Sequence, residues 1–262
     1  MATIAIGDIH GNADALDAVL EQLVPELSGH DTVVFLGDYI DRGPDSRACI
    51  DRILQFRAES RAEVVMLLGN HEEWLLRTLH DPTRHSWLLG MEAFETIASY
   101  SAAAAEGLRR AAEEAGMALV TRRIELPYRL FFDVVPAGHL AFLEGLVPYH
   151  RTSDAACVHG GFDPRLGALD EQPPDALVWG PDDFPEAYDG IEVVVYGHKD
   201  RAVVDADGWP QPRVWRRTIG IDTSAHGVLT ALRLPEGQIV QSRRWGSAPQ
   251  VRVLRLRPGL TG

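Results

Sequence analysis

Thr3-Ile4-Ala5-Ile6-Gly7-Asp8-Ile9-His10-Gly11 begins as a continuous apolar run and ends in glycines flanking a carboxylate and an imidazole. The same grammar returns twice. Thr32-Val33-Val34-Phe35-Leu36 runs into Gly37-Asp38-Tyr39-Ile40-Asp41-Arg42-Gly43, and Val64-Val65-Met66-Leu67-Leu68 into Gly69-Asn70-His71-Glu72. Short apolar runs rich in β-branched residues suit strands buried on both faces. Between them lie helical patterns. Leu16, Val19, Leu20 and Leu23 form one stripe, stopped by Pro25; Ile50, Ile53 and Leu54 form another, beside Cys49 and behind Ser46 as a capping residue. Asp8, Asp38 and Asn70 are therefore spaced by about one βαβ unit each, and parallel strands deliver them to the same sheet edge, where open α/β sheets bind ligands.

Working outward, two later runs end in the same way. Ala155-Ala156-Cys157-Val158 is followed by His159-Gly160-Gly161, and Val193-Val194-Val195-Tyr196 by Gly197-His198. Residues 92–120 are rich in Ala and Glu and favour helix, which marks a helical, cap-like insertion over about 73–130. Pro173, Pro174, Pro181 and Pro185 make 171–190 read as a solvated loop or lid. Val228–Leu234 and Ile239–Arg243 alternate about a Pro-Glu-Gly turn, a hairpin signal. No composition break divides the chain, so 1–262 reads as one α/β domain.

The balance of 25 Lys and Arg against 38 Asp and Glu gives a net charge of −13, which argues against binding duplex DNA. It does not exclude a small phosphorylated substrate, because bound cations reverse the local field. Two cysteines make no disulfide framework, and Cys49 and Cys157 both sit among core-like residues. No apolar run is long enough to span a membrane, and no basic and apolar leader precedes the first strand, so a cytoplasmic location is expected.

Carboxylate, imidazole and amide oxygen are the donors that Mn²⁺, Fe²⁺ and Zn²⁺ accept, and the absence of Cys from the set argues against a closed structural zinc. A catalytic pair of ions lies about 3.5–4 Å apart, a gap that one carboxylate can bridge. Asp38 is the natural bridge. Asp8 and His10 then complete one ion's protein ligands, and Asn70, His159 and His198 the other's. One Gly-Asp or one strand-end His would be an ordinary turn; five strand ends bearing such residues point to a centre.

These motifs, as GDIHG, GDYIDRG and GNHE in order, followed by His159 in HGG and His198 in YGH, resemble the metal-dependent phosphoprotein phosphatase family. The likeness is to PPP-type serine/threonine phosphatases in their bacterial, calcineurin-like branch, and it covers Ile4 to about Leu234. It implies a four-layer α/β/β/α metallophosphatase sandwich with a helical insertion. It also implies two divalent ions, manganese being the expected one with Fe²⁺ or Zn²⁺ as alternatives, and the ligand division given above. A water shared by two cations ionises near neutral pH and can attack phosphorus directly, without a phosphoenzyme.

The resemblance assigns Arg42 to the phosphoryl oxygens and His71 to substrate binding and protonation of the leaving alkoxide. Asp41 would hold the His71 tautomer and raise its pKa. Expected substrates are a phosphoserine or phosphothreonine protein and small phosphomonoesters; the alternative is a dinucleoside polyphosphate or an RNA cap. Symmetrical dinucleoside tetraphosphatases usually carry a neutral residue at the Asp41 position, which favours the monoester reading. Three features depart from the family. Trp179 is followed by Gly180-Pro181 where bacterial relatives often have a second phosphate-binding Arg, leaving Arg165 or Arg201 as weak substitutes. His226 stands where relatives are Gly-rich, and reads as a hydrogen-bonded loop residue. Trp74, Trp87 and Phe94 read as the core of the cap.

Overall fold

In a computed structural model, residues 1–245 and 248–256 are described. The last residues of the expected 1–262 domain, from 257, lie outside them. β1 (Thr3–Ile6), β2 (Thr32–Phe35) and β3 (Glu63–Met66) alternate with α1 (Ala13–Leu23) and α2 (Ser46–Glu59). β1 pairs parallel to β2, with Ile6 opposite Phe35, and β2 pairs parallel to β3, with Phe35 opposite Met66. β1 ends with its apolar run, whereas β2 and β3 stop one and two residues before theirs; Leu67 makes only an isolated bridge to Val147.

Asn12 caps α1 by accepting the Ala15 N–H, and α1 ends at Leu23, where a short 3₁₀ turn containing Pro25 takes over. Ser46 is not a cap. It is the first residue of α2, behind Asp45, and its hydroxyl instead accepts the Asp41 N–H at 3.2 Å.

Helices follow in the chain: α3 (Asn70–His80), α4 (Ser86–Gly90), α5 (Ala93–Tyr100), α6 (Ala102–Ala115), α7 (Ala118–Thr121), α8 (Arg129–Phe132) and α9 (Ala137–Glu144). The helical stretch thus starts before 73 and runs past 130. β4 (Tyr149–Arg151) and β5 (Ala156–Val158) follow. α10 (Pro174–Trp179) and α11 (Phe184–Ala187) stand where the prolines suggested a solvated loop, with Leu177 and Phe184 buried. Proline starts each of them near its first turn, where the lost N–H costs nothing.

β6 (Val194–Tyr196), β7 (Val203–Val204), β8 (Pro210–Gln211), β9 (Arg213–Trp215) and β10 (Thr218–Gly220) precede a closing meander of β11 (Val228–Leu234), β12 (Gln238–Trp245) and β13 (Ala248–Arg255). The first sheet runs β13-β12-β11-β1-β2-β3, the second β4-β5-β6-β10-β9, and β7 and β8 form a small ribbon.

Strand alternation sorts the core into layers. Ile4, Ile6, Val33 and Phe35 pack against α1, α2 and the insertion, while Ala5 and Val34 face Cys157, Val195 and Ile219 of the second sheet. The outer face of that sheet, through Val158, Val194 and Tyr196, meets Phe162, Leu177 and Phe184. Helix, sheet, sheet and helix follow in order, as expected of the metallophosphatase sandwich. Both cysteines are buried and free. Among the described residues no helix is long and apolar enough to cross a membrane.

Candidate metal centre and active site

The parallel register brings the ends of β1, β2 and β3 level, and β5 pairs parallel to β6 with Val158 opposite Tyr196, so His159 and His198 emerge together across the sandwich. The backbone turns abruptly there. His10, Asp38, Asp41, Arg42 and His198 all take positive φ, from 46° to 69°. Such conformations cost about 1–3 kcal/mol each and persist where the surroundings impose them, as at ligand-holding sites.

Asp38 lies at the centre. Its Oδ2 is 3.5 Å from His10 Nε2, and its Oδ1 is 3.4 Å from His159 Nε2. Two ligand clusters share this carboxylate, one with His10 and His71 and one with His159 and His198. Asn70 Oδ1 lies 3.0 Å from His159 Nε2. The remaining ring nitrogens are oriented by backbone: His10 Nδ1 faces the Ile40 carbonyl at 2.9 Å and His159 Nδ1 the Leu36 carbonyl at 2.8 Å, contacts that fix the tautomer presenting Nε2. Asp8 stands outside the two clusters. Its Oδ2 accepts the His198 N–H at 2.9 Å, and its Oδ1 is buried without a partner.

The electrostatics suit a cation. Burial, then the charges of Asp222 and Asp38, pushes the Asp8 carboxyl well up; burial and Glu72 do the same to Asp38. Burial, reinforced by neighbouring imidazoles, holds His10 and His159 well below the usual range, and with Lys199 it lowers His198 to about 4. Neutral imidazole is the ligand form. Buried Asp8 Oδ1 and His10 Nε2 make no hydrogen bond. Unpaired buried polar atoms are costly, and these two belong to the donor types a divalent ion takes. The residues fit a dinuclear divalent metal centre.

His71 is the second residue of α3, and its Nδ1 meets Asp41 Oδ2 at 2.8 Å. Its Nε2 lies 3.9 Å from Asp38 Oδ2, and Arg42 Nη2 approaches Nε2 at 3.5 Å. The expectation that Asp41 raises the His71 pKa is not met. Burial, followed by the Arg42 charge, lowers His71 to about 3, while burial raises Asp41 to about 8. Burial thus disfavours the charged form of each partner. Arg42 is exposed on the rim of a cavity of about 330 Å³ that runs from Asp8 and His10 to Ser224 and Leu229.

Several contributors were missed from sequence. Glu72, quoted in the motif but given no role, accepts the N–H groups of Asp38, Tyr39 and Ile40 at 2.9, 2.9 and 3.3 Å. Trp87 is wholly buried as expected of cap core, yet its indole N–H donates to Asp41 Oδ2 at 3.0 Å, and the Thr96 hydroxyl donates to Asp41 Oδ1 at 2.6 Å. Trp74 and Phe94 show no such link: Trp74 packs on Trp179 at 5.1 Å, and Phe94 lies under the Arg109 guanidinium.

Neither substitute for the second arginine reaches the centre. Arg165 pairs with Asp163 and Asp183, and Arg201 donates to the Asp182 carbonyl. His226 closes a short 3₁₀ turn (Ser224–His226), and its Nε2 lies 3.6 Å from Asp200 Oδ1. Lys199, the chain's single lysine, is buried and donates to the carbonyls of Trp179 and Gly180 at 3.1 and 3.2 Å. Trp179 in turn sets its ring edge-on to His198 at 5.6 Å and donates to Glu73.

Comparison with known proteins bears on this geometry. Along 76 residues the chain is 41% identical to the symmetrical bis(5'-nucleosyl)-tetraphosphatase of Cellvibrio japonicus, which is 29% of this chain and only about a quarter (26%) of that protein. It is 27% identical over 260 residues, 92% of both chains, to the asymmetrical bis(5'-nucleosyl)-tetraphosphatase PrpE of Bacillus velezensis. A crystallised protein provisionally described as a diadenosine tetraphosphatase superposes over 94% of this chain and 95% of its own, with a TM-score of 0.59 and 21% identity, a likeness of fold. The calcineurin-like phosphoesterase profile matches residues 1–201, which take in every strand-end motif of the centre. The chain therefore belongs to the calcineurin-like phosphoesterase family, and its clustered His and Asp side chains are the donors a dinuclear divalent metal centre would use.

Proposed function

We propose that the substrate is a dinucleoside polyphosphate, hydrolysed at a phosphoanhydride bond. The observation that carries this reading is the similarity to an asymmetrical bis(5'-nucleosyl)-tetraphosphatase along 92% of both chains. The cavity of about 330 Å³ beside Asp8, His10 and Arg42 supports it, because it offers room for a departing nucleotide next to the reacting phosphate.

Asp8, His10 and Asp38 would hold one ion, and Asp38, Asn70, His159 and His198 the other. Manganese is the ion we expect, with Fe²⁺ and Zn²⁺ sharing the same donors. When bound, two such ions supply Lewis acidity toward phosphoryl oxygens and a water of lowered pKa. The chain's own residues do the rest. Arg42 lays its planar fork along the phosphoryl oxygens as their charge rises. His71 gives the Nε2 proton to the departing oxygen while Nδ1 takes the proton that Asp41 holds, so the imidazole stays neutral throughout.

One observation favours a second reading on the same site. A terminal phosphate departs readily without a proton, whereas a serine or threonine alkoxide does not, so the buried Asp41–His71 pair at 2.8 Å suits phosphomonoester or phosphoprotein substrates. A single comparison tests both. With Mn²⁺ present, diadenosine tetraphosphate should give ATP and AMP with kcat/KM well above that for phosphoserine or phosphothreonine peptides. A peptide hydrolysed faster than the dinucleotide would overturn the first reading in favour of the second.

A further inference from the structure

We infer that Trp87 and Thr96, both on the helical insertion, are positioning residues that aim the Asp41 carboxylate at His71. The inference rests on the reading of His71 as proton donor. α4 and α5 supply no group to the two ligand clusters, yet both reach Asp41. Thr96 Oγ1 donates to Asp41 Oδ1 at 2.6 Å and also accepts the Asp41 N–H at 2.8 Å, so one hydroxyl clamps both the side chain and the backbone of a residue held at φ 69°. The Trp87 indole N–H takes one lone pair of Oδ2 at 3.0 Å. What remains on Oδ2 is directed at His71 Nδ1, 2.8 Å away.

The rotamers of both helpers are set by packing. Trp87 is wholly buried, with Phe131 and Phe132 at 5.5 and 6.4 Å, and Thr96 is braced by the Ser46 hydroxyl at 3.0 Å. A carboxyl with free torsion offers its oxygens in many directions; the two buried donors, Thr96 and Trp87, leave this one a single direction. The orientation of an imidazole is fixed by whatever its other nitrogen faces. Removing either helper should therefore loosen the imidazole and slow proton delivery, while the ligand set stays whole.

A general acid matters in proportion to the basicity of the leaving group, which separates positioning from a structural role. Phenyl phosphate needs the proton and 2,4-dinitrophenyl phosphate does not. Wild type, Thr96→Val, Thr96→Ser, Trp87→Phe and His71→Asn would be assayed on both esters with Mn²⁺, after metal analysis of each variant. General acids contribute about 10²–10⁴-fold. Thr96→Val and Trp87→Phe should lose about tenfold or more in kcat on phenyl phosphate and under about threefold on the dinitrophenyl ester, with KM little changed. Thr96→Ser, which keeps the hydroxyl, should restore the phenyl phosphate rate. Equal losses on both esters, or none on phenyl phosphate, overturn the inference while His71→Asn still shows the leaving-group dependence. If His71→Asn itself slows both esters alike, the proton-donor reading fails and the inference with it.

Discussion

Glu72 reaches back 34 residues to accept the Asp38 backbone N–H at 2.9 Å, and through its other oxygen it also holds the N–H groups of Tyr39 and Ile40. The carboxylate sits in the first turn of α3, so the helix that carries Asn70 and His71 also anchors the loop that carries Asp38, Asp41 and Arg42. Glu72→Gln replaces one acceptor by a donor that faces backbone N–H groups. The expected cost is about 1–3 kcal/mol for each buried donor left unpaired, with a fall in kcat because Asp38 and Asn70 lose a common reference. Urea unfolding beside steady-state kinetics checks this; a variant with wild-type midpoint and turnover would show that the loop holds itself.

The two oxygens of Asp38 face different histidines, His10 and His159, at nearly equal distances. Asp38→Asn keeps the shape but substitutes an amide nitrogen for one oxygen and removes the charge. Turnover should drop by orders of magnitude and bound metal, by elemental analysis, should fall below two ions per chain, while the far-UV circular dichroism stays that of wild type. Activity within a few-fold of wild type would remove Asp38 from its bridging role.

Most of this centre was legible because a ligand that must leave a strand end writes itself as an apolar run followed by glycine and a polar residue. His159 and His198 were readable for the same reason, although they lie on the other sheet. Trp87 and Thr96 were not, because a buried tryptophan and a mid-helix threonine carry no local mark of what they meet; their partner Asp41 is set by how α4 and α5 pack. The stretch 171–190 was misjudged on its prolines, which here open helices. Ser46 looked like a cap from its place before a helical stripe, but Asp45 takes that position and frees its hydroxyl for Asp41.

Metal removal should make stability fall with rising pH between about 6.5 and 8. Burial raises the folded-state carboxyls of Asp8 and Asp38 well up and Asp41 to about 8, against about 4 in the unfolded chain. A group whose folded pKa is raised contributes stability that is whole below its unfolded pKa and is lost as pH climbs through the folded value. The depressed histidines His10, His71, His159 and His198 act in the other direction, but only below about 6.5, where the unfolded chain starts to bind protons. With chelator present, the melting temperature should decline across that window, by about 2–4 °C per kcal/mol lost. Saturating Mn²⁺ should cancel or reverse the slope, since the ion needs the deprotonated ligands. Parallel slopes with and without metal would mean that these carboxyls are not where the ion binds.

Gly180, where the resemblance leads to the expectation of a second phosphate-binding arginine, has no room for a side chain. It follows Trp179 at φ 53° and ψ 155°, a conformation close to one reserved for glycine, and a Cβ there would fall inside the carbonyl of Gly160. Gly160 itself follows His159, so the two loops touch backbone to backbone, and Lys199 holds the corner by donating to both the Trp179 and Gly180 carbonyls. Restoring the family's arginine by Gly180→Arg should therefore destabilise the protein by about 2–3 kcal/mol or more rather than tighten phosphate binding, because Gly160 and His159 must move to admit any side chain. Gly180→Ala, which adds only the Cβ, should show most of the same loss, and Lys199→Met should weaken the corner without touching a metal ligand. Chemical denaturation of the three variants beside their KM for phosphate esters separates the effects. A Gly180→Arg protein as stable as wild type and with a lower KM would show that the corner can open, and that charge rather than backbone space decides this position.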